Sequence, residues 1–268
     1  MIPIRDANPT SRVPILTLVL IAANVAVFLL WQPSFGTQEE QQDFYFCHAE
    51  IPFEVSHQES LAAGGSEARR ALDEDLGSGA GDFFQARVQQ ACPDKSWLLS
   101  IFVAMFLHGG WLHIGGNMLF LWVFGNNVED RLGYLAYPLF YLMGGLAAAG
   151  LQIALDPSST IPSLGASGAI GAVLGAYAVI FPNARVTTLV IFFFITVVEV
   201  RAILVLGAWF LLQLFSGVGE LGTHVNGGVA FWAHVGGFAF GAIVAWLFYR
   251  PRGPRPIAYG IPARPDAF

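Results

Sequence analysis

Ser167, His234, His113 and Asn117 are the residues of this chain whose types and spacing suit acyl transfer. Ser167 lies in Gly165-Ala166-Ser167-Gly168, which follows Pro162 and opens a long apolar segment. A serine in the first turn of a helix sits beside backbone N–H groups without intrahelical partners and beside the positive end of the helix dipole. A carbonyl attacked there would gain negative charge where that charge is stabilised. The motif is not the G-x-S-x-G elbow of soluble hydrolases, because Ala169 fills the last place. Small residues around a serine in a membrane helix serve close packing equally well.

His234 lies in a second cluster, Ala233-His234-Val235-Gly236-Gly237, within another apolar segment. A neutral imidazole there can take a hydroxyl proton, or it can simply hold two helices together by a hydrogen bond. The third cluster is His108, His113 and Asn117. His113 and Asn117 are four residues apart, so on a helix they project from one face and can donate to a single oxygen. His108 precedes them beside Gly109 and Gly110, near the outer interface. No carboxylate lies near either histidine in the apolar segments, so a Ser-His dyad is expected rather than a triad. No Cys/His cluster has metal-ligand spacing, and His224 reads as a loop histidine, so neither metal nor cofactor is expected.

These side chains can meet only if the segments carrying them pack closely. Ala233, Gly237 and Gly241 recur every four residues, as do Ser167, Gly171 and Gly175. Each set makes a smooth stripe on which another helix backbone can lie, and two such stripes in contact would bring Ser167 to His234.

Composition places those segments in a bilayer. Apolar residues make up 55 % of the 268 and charged residues 12 %, against about 25 % charged in a typical soluble domain; the mean hydropathy is +0.58. Six spans are expected at residues 13–31, 97–124, 134–155, 164–181, 202–215 and 229–249, where about 20 residues cross a hydrocarbon core; the second is over-long and the fifth is ambiguous. The fold class is thus an all-α polytopic membrane protein, a six-helix bundle with a long extracytoplasmic first loop. Residues 187–198 are also apolar, but Glu199 and Arg201 interrupt the run, so this stretch is expected along the interface. Nine of the thirteen basic residues (Arg5, Arg12, Arg131, Arg185, Arg201, Arg250, Arg252, Arg255 and Arg264) fall on one side of this topology. That side is expected to be cytoplasmic, with both termini on it. One lysine against twelve arginines hints at a GC-rich bacterial genome and hence a bacterial plasma membrane.

The divisions that follow are a cytoplasmic N-terminus (1–12), a first helix (13–31), an outer loop or cap (32–96), a five-helix core (97–250) and a basic, Pro-rich cytoplasmic tail (251–268) held to anionic headgroups. The outer loop holds twelve acidic residues against four basic ones. The net charge of -6 is therefore local and suggests no nucleic-acid partner. Residues 77–81 mark a flexible stretch in the loop. Cys47 and Cys92 both lie in it; on an oxidising face they can pair, and otherwise they are two free thiols. Residues 213–228 are glycine-rich and suited to moving as a gate.

The three clusters in this order resemble those of rhomboid intramembrane serine proteases: His108-x4-His113-x3-Asn117, Gly165-Ala166-Ser167-Gly168 and Ala233-His234-x-Gly236-Gly237. The stretch Gly125-Asn126-Asn127-Val128-Glu129-Asp130-Arg131-Leu132-Gly133 is similar to the family's cytoplasmic turn. The resemblance implies Ser167 as nucleophile, His234 as general base, His113 and Asn117 with the Ser167 N–H as oxyanion donors, and His108 as a structural histidine near the mouth. Gly165 and Gly168 would flank the nucleophile, and Gly237 would let the two helices approach. It implies as substrates single-span membrane proteins with small or helix-breaking residues near the outer interface. Two departures stand out: Leu98 follows Trp97 where many members have arginine, and Gly171 takes the place of a tyrosine that stacks on the base in some members. Something else must then hold the imidazole. The alternatives are an inactive relative that binds membrane clients, and a small transporter or channel using the polar residues as a path; the latter needs paired broken helices or charged midplane residues, which the sequence lacks.

Overall fold

The computed structural model describes residues 2–63, 65–191, 195–220 and 230–249. In chain order its elements are β1 (Ile2–Asp6), α1 (Ile15–Ala26, continued by a π-turn Val27–Trp31), α2 (Gln38–His48), α3 (Pro52–His57), α4 (Ser66–Leu76), α5 (Ala80–Ala91) and α6 (Trp97–Ala104). There follow α7 (Trp111–Leu132), α8 (Ala136–Leu155), α9 (Ser167–Ile180), β2 (Arg185–Ile191), β3 (Ile195–Arg201), α10 (Ala202–Glu220) and α11 (Phe231–Val244, continued by a π-turn Ala245–Tyr249). The helix α8, residues Ala202–Gly219 and residues Phe231–Tyr249 are long and apolar enough to cross a membrane, while Ile15–Trp31 and α9 are apolar but shorter.

Helix α9 is the centre of the bundle, packed by α7, α8 and α11. All of its residues except Ser167 and Val179 are buried, as an all-round apolar helix requires. Its 14 residues reach only about 21 Å, short of the roughly 30 Å hydrocarbon thickness. One end of the helix therefore begins within the depth its longer neighbours span.

Two sequence expectations are corrected here. The expected span 97–124 is not one helix: the chain leaves α6 at Ala104 and re-enters as α7 at Trp111, which then continues to Leu132. The break is set by Gly109-Gly110, where Gly110 takes a φ of +150°, a conformation that favours glycine. Its exposed backbone groups find partners: the Gly165 N–H donates to the Ala104 carbonyl at 2.8 Å, and the Gln32 side chain pairs with the His108 peptide, accepting from its N–H at 3.0 Å and donating to its carbonyl.

The chain is also not all-α. Strands β1, β2 and β3 form an antiparallel sheet in that order, with Ile2 opposite Leu189 and Arg185 opposite Arg201. Residues 187–198, expected along the interface, are thus mostly sheet. Their β-branched residues (Thr187, Thr188, Val190, Ile191, Ile195, Thr196, Val197 and Val198) favour the pleated conformation.

The polar end of α7 fastens the N-terminal segment. Glu129, almost fully buried, accepts from the Leu16 and Thr17 N–H groups at 2.9 and 2.7 Å and from the Thr17 hydroxyl at 2.7 Å. It caps α1, which lacks a side-chain cap of its own. Asn127 and Tyr177 both donate to Asp6, at 2.6 and 2.7 Å.

Helices α2–α5 enclose a separate small core of Phe46, Ile51, Phe53, Leu61, Leu72 and Val88. Cys47 and Cys92 are bonded beside it with Cα atoms 5.6 Å apart. The chain's only lysine is buried here: Lys95 Nζ pairs with Glu54 at 2.6 Å and donates to the Phe46 carbonyl at 2.7 Å. Gly77 and Gly79 form the turn between α4 and α5. This unit is tied to the loop before α9, where Asp75 accepts from Thr160 N–H and hydroxyl and the Glu50 carbonyl accepts from Ser163 N–H at 2.7 Å.

Burial pushes the Glu50 carboxyl up from 4.5 to about 8, against the pull of the Lys95 charge. Between those values the folded protein holds a proton that the unfolded chain has released. Stability therefore falls as pH rises across that window and levels off above it. Glu50→Gln is expected to flatten this slope, raising the melting temperature at about pH 8.5 more than at about pH 4. Thermal unfolding in detergent across the pH series checks this, and an unchanged slope would count against it.

The expected tail 251–268, His224 and the later part of the glycine-rich stretch 213–228 lie outside the described residues.

Candidate active site

Ser167 is the first residue of α9, so its N–H is among those with no intrahelical acceptor. The turn that delivers it depends on Gly165, which adopts a φ of +131°. A Cβ at Gly165 would also lie 2.9 Å from His113 Cε1 and Nε2 and 3.4 Å from Ser167 Oγ. Both the dihedral and the crowding exclude other residues there. The same distances show that the His113 ring edge and the serine hydroxyl face a common point beside Gly165.

His113 is oriented by its own helix start. Its Nδ1 accepts from the Gly109 N–H at 3.1 Å, so in the neutral ring the proton sits on Nε2, the atom turned toward Gly165. Asn117 follows one turn later, buried at 8 % exposure, and its amide Nδ2 has no hydrogen-bond partner among the described residues. A buried donor left without an acceptor costs on the order of 1–3 kcal/mol. His108 is wholly buried, its ring 5.2 Å from that of His113.

His234, near the start of α11, places Nε2 2.7 Å from Ser167 Oγ. The close approach comes from the small-residue stripes. A Cβ on Gly237 would overlap the Gly168 carbonyl and come within 3.3 Å of the Ala172 nitrogen, and one on Gly241 would overlap the Ala172 carbonyl. Gly168 in turn lies against Ala148 of α8. Gly171 faces the His234 carbonyl, where even a Cβ would lie at 3.0 Å. Any side chain at 171 would therefore require the α11 backbone to give way.

The residue that holds the imidazole was not singled out from the sequence. Gln213 of α10 brings Oε1 to 2.7 Å from His234 Nδ1. Trp209, one turn earlier, lies with its ring 5.8 Å from the imidazole at an interplanar angle of 41°. The available signal was a lone amide in a largely apolar helix, where an unpaired polar group is costly. Among the described residues, no group of three or more His, Cys, Asp or Glu is arranged to hold a metal.

A helical integral membrane protein with a serine at the start of a buried helix, an imidazole on it and a second histidine turned to the same point is a defined class of molecule. Residues 95–251 match the Rhomboid domain family model, and the chain belongs to the rhomboid family. It is 29 % identical over 153 residues to Rhomboid protein 1, mitochondrial, of Saccharomyces cerevisiae, covering 55 % of this chain and 41 % of that one. It is 34 % identical over 161 residues to RHOMBOID-like protein 4 of Arabidopsis thaliana, covering 59 % and 36 %. The matches thus span less than half the length of these relatives.

Proposed function

We propose that the protein is an intramembrane serine endopeptidase that cuts single-span membrane proteins near the outer interface. The observation that carries this reading is the 2.7 Å contact between Ser167 Oγ and His234 Nε2 at the start of a buried helix. His234 takes the Ser167 proton as Oγ attacks a peptide carbonyl. The resulting oxyanion accepts from the Ser167 N–H, His113 Nε2–H and Asn117 Nδ2–H, the last a donor with no other partner among the described residues. His234 then protonates the departing amine, and water repeats the sequence on the acyl-enzyme.

The topology proposed is six spans with both termini cytoplasmic, the arginine bias supporting the orientation. The disulfide-linked unit of α2–α5 then lies on the outer, oxidising face, in a bacterial plasma membrane. Because α9 is short, Ser167 starts below the outer surface, where water must descend to it. A substrate must present extended backbone, since helical carbonyls are shielded, so small or helix-breaking residues are expected at the cut.

Proteoliposomes holding the wild type and a single-span substrate with a small residue near its outer interface test this reading. Cleavage is expected, and intact substrate beside a well-folded enzyme at several candidate sequences would favour the client-binding alternative. Asn117→Ala is expected to lower kcat about 10²–10³-fold with little change in KM, since its donor is used only once the oxyanion forms. A KM effect alone would reassign Asn117 to substrate binding.

A further inference from the structure

We infer that Gln213 is a positioning residue that selects the working tautomer of His234. This rests on the Ser167–His234 reading proposed above and adds a third member to it from α10. A neutral imidazole carries one proton. If it sits on Nε2, the ring cannot accept the Ser167 hydroxyl proton; if it sits on Nδ1, Nε2 is free to do so. Gln213 Oε1, 2.7 Å from Nδ1, accepts a proton held there and so favours the second form. The amide is buried at 8 % exposure, so water does not readily replace it.

The contact is built by more than one side chain. Trp209 and Gln213 lie four residues apart and so share one face of α10, the indole against the ring and the amide at its Nδ1. From the other side, Ser167 of α9 meets Nε2, and among the described residues the other titratable group acting on the ring is His113 of α7. A neutral acceptor is suited to this depth, because a carboxylate in its place would have to be desolvated. The amide fixes the ring without adding a charge. It also links the base to α10, so displacement of that helix would release the imidazole from its oriented state.

The test is the rate at which a fluorophosphonate labels Ser167, followed against pH in wild type, Gln213→Met, Gln213→Glu and Gln213→Asn. Gln213→Met keeps the length and apolar packing but removes the acceptor, and should slow labelling about 10- to 100-fold. Gln213→Glu supplies an anionic acceptor that favours the imidazolium, so the acid limb of the profile should move to higher pH. A residue serving only to pack α10 would shift the melting temperature of each variant and leave that limb where the wild type has it. Gln213→Asn, which withdraws the amide by one methylene, should fall between Met and wild type, and it serves in place of Gln213→Met if that variant does not fold. Equal labelling rates in all variants with an unmoved acid limb would overturn the assignment while leaving the dyad standing. An unlabelled wild type would instead remove the Ser167 reading on which it rests.

Discussion

His234→Ala is expected to reduce cleavage by about four orders of magnitude or more, and Ser167→Ala by at least as much. The reason is that neither group works alone. At neutral pH the serine hydroxyl is a poor nucleophile, and among the described residues the base hydrogen-bonded to it is the imidazole 2.7 Å away. Removing His234 leaves the proton on Ser167; removing Ser167 leaves a base with nothing to activate. The double variant should therefore be no worse than the worse single one, because groups that act as a unit are strongly non-additive. Rates in proteoliposomes for the two single variants and the double one check this. Additive losses would mean that the two residues serve separate steps.

Gly237→Leu is expected to eliminate activity by a different route. The Gly237 Cα lies so close to α9 that a Cβ would overlap the Gly168 carbonyl. That neighbour is backbone, not a flexible side-chain end, and α9 cannot retreat, because Gly168 already lies against Ala148 on α8. Overpacking a core costs typically about 1–3 kcal/mol, occasionally more; obstruction by backbone on both sides places this substitution at the upper end. Any separation of α9 and α11 also lengthens the Ser167–His234 contact, so activity should vanish even where protein survives. Gly150 is the control: it lies on α8, and a Cβ there meets nothing within 4 Å, so Gly150→Leu should be tolerated. Melting temperature and fluorophosphonate labelling of the two variants, purified side by side, decide the point. Equal stability would show that the stripe contact is not what holds the helices together.

The candidate site residues were legible because bilayer chemistry makes them conspicuous. Ser167, His234, His113 and Asn117 are polar groups in apolar runs, and the four-residue recurrence of glycine on two segments told which helices could touch. Gln213 escaped notice although the same cost of burying a polar group applied to it. Spacing along one helix does not reveal which side chain of another it will meet. The break between α6 and α7 was visible as Gly109-Gly110, yet the flanking residues are so apolar that one long span read equally well. The sheet was hidden for another reason. Pairing of Ile2–Asp6 with Arg185–Ile191 joins segments about 180 residues apart in sequence, and a short apolar run such as 187–198 has no length or period that separates a strand from an interfacial helix. The Gln32–His108 and Glu129–Thr17 contacts, which satisfy the peptide at the break and cap α1, are likewise between distant segments.

The most direct measurement is to treat the purified wild type with a fluorophosphonate and locate the adduct by peptide mapping. A single adduct on Ser167, absent from Ser167→Ala and strongly reduced in His234→Ala, is the predicted result. An adduct on another residue, or labelling of Ser167 that proceeds equally without His234, would contradict the proposed nucleophile and base.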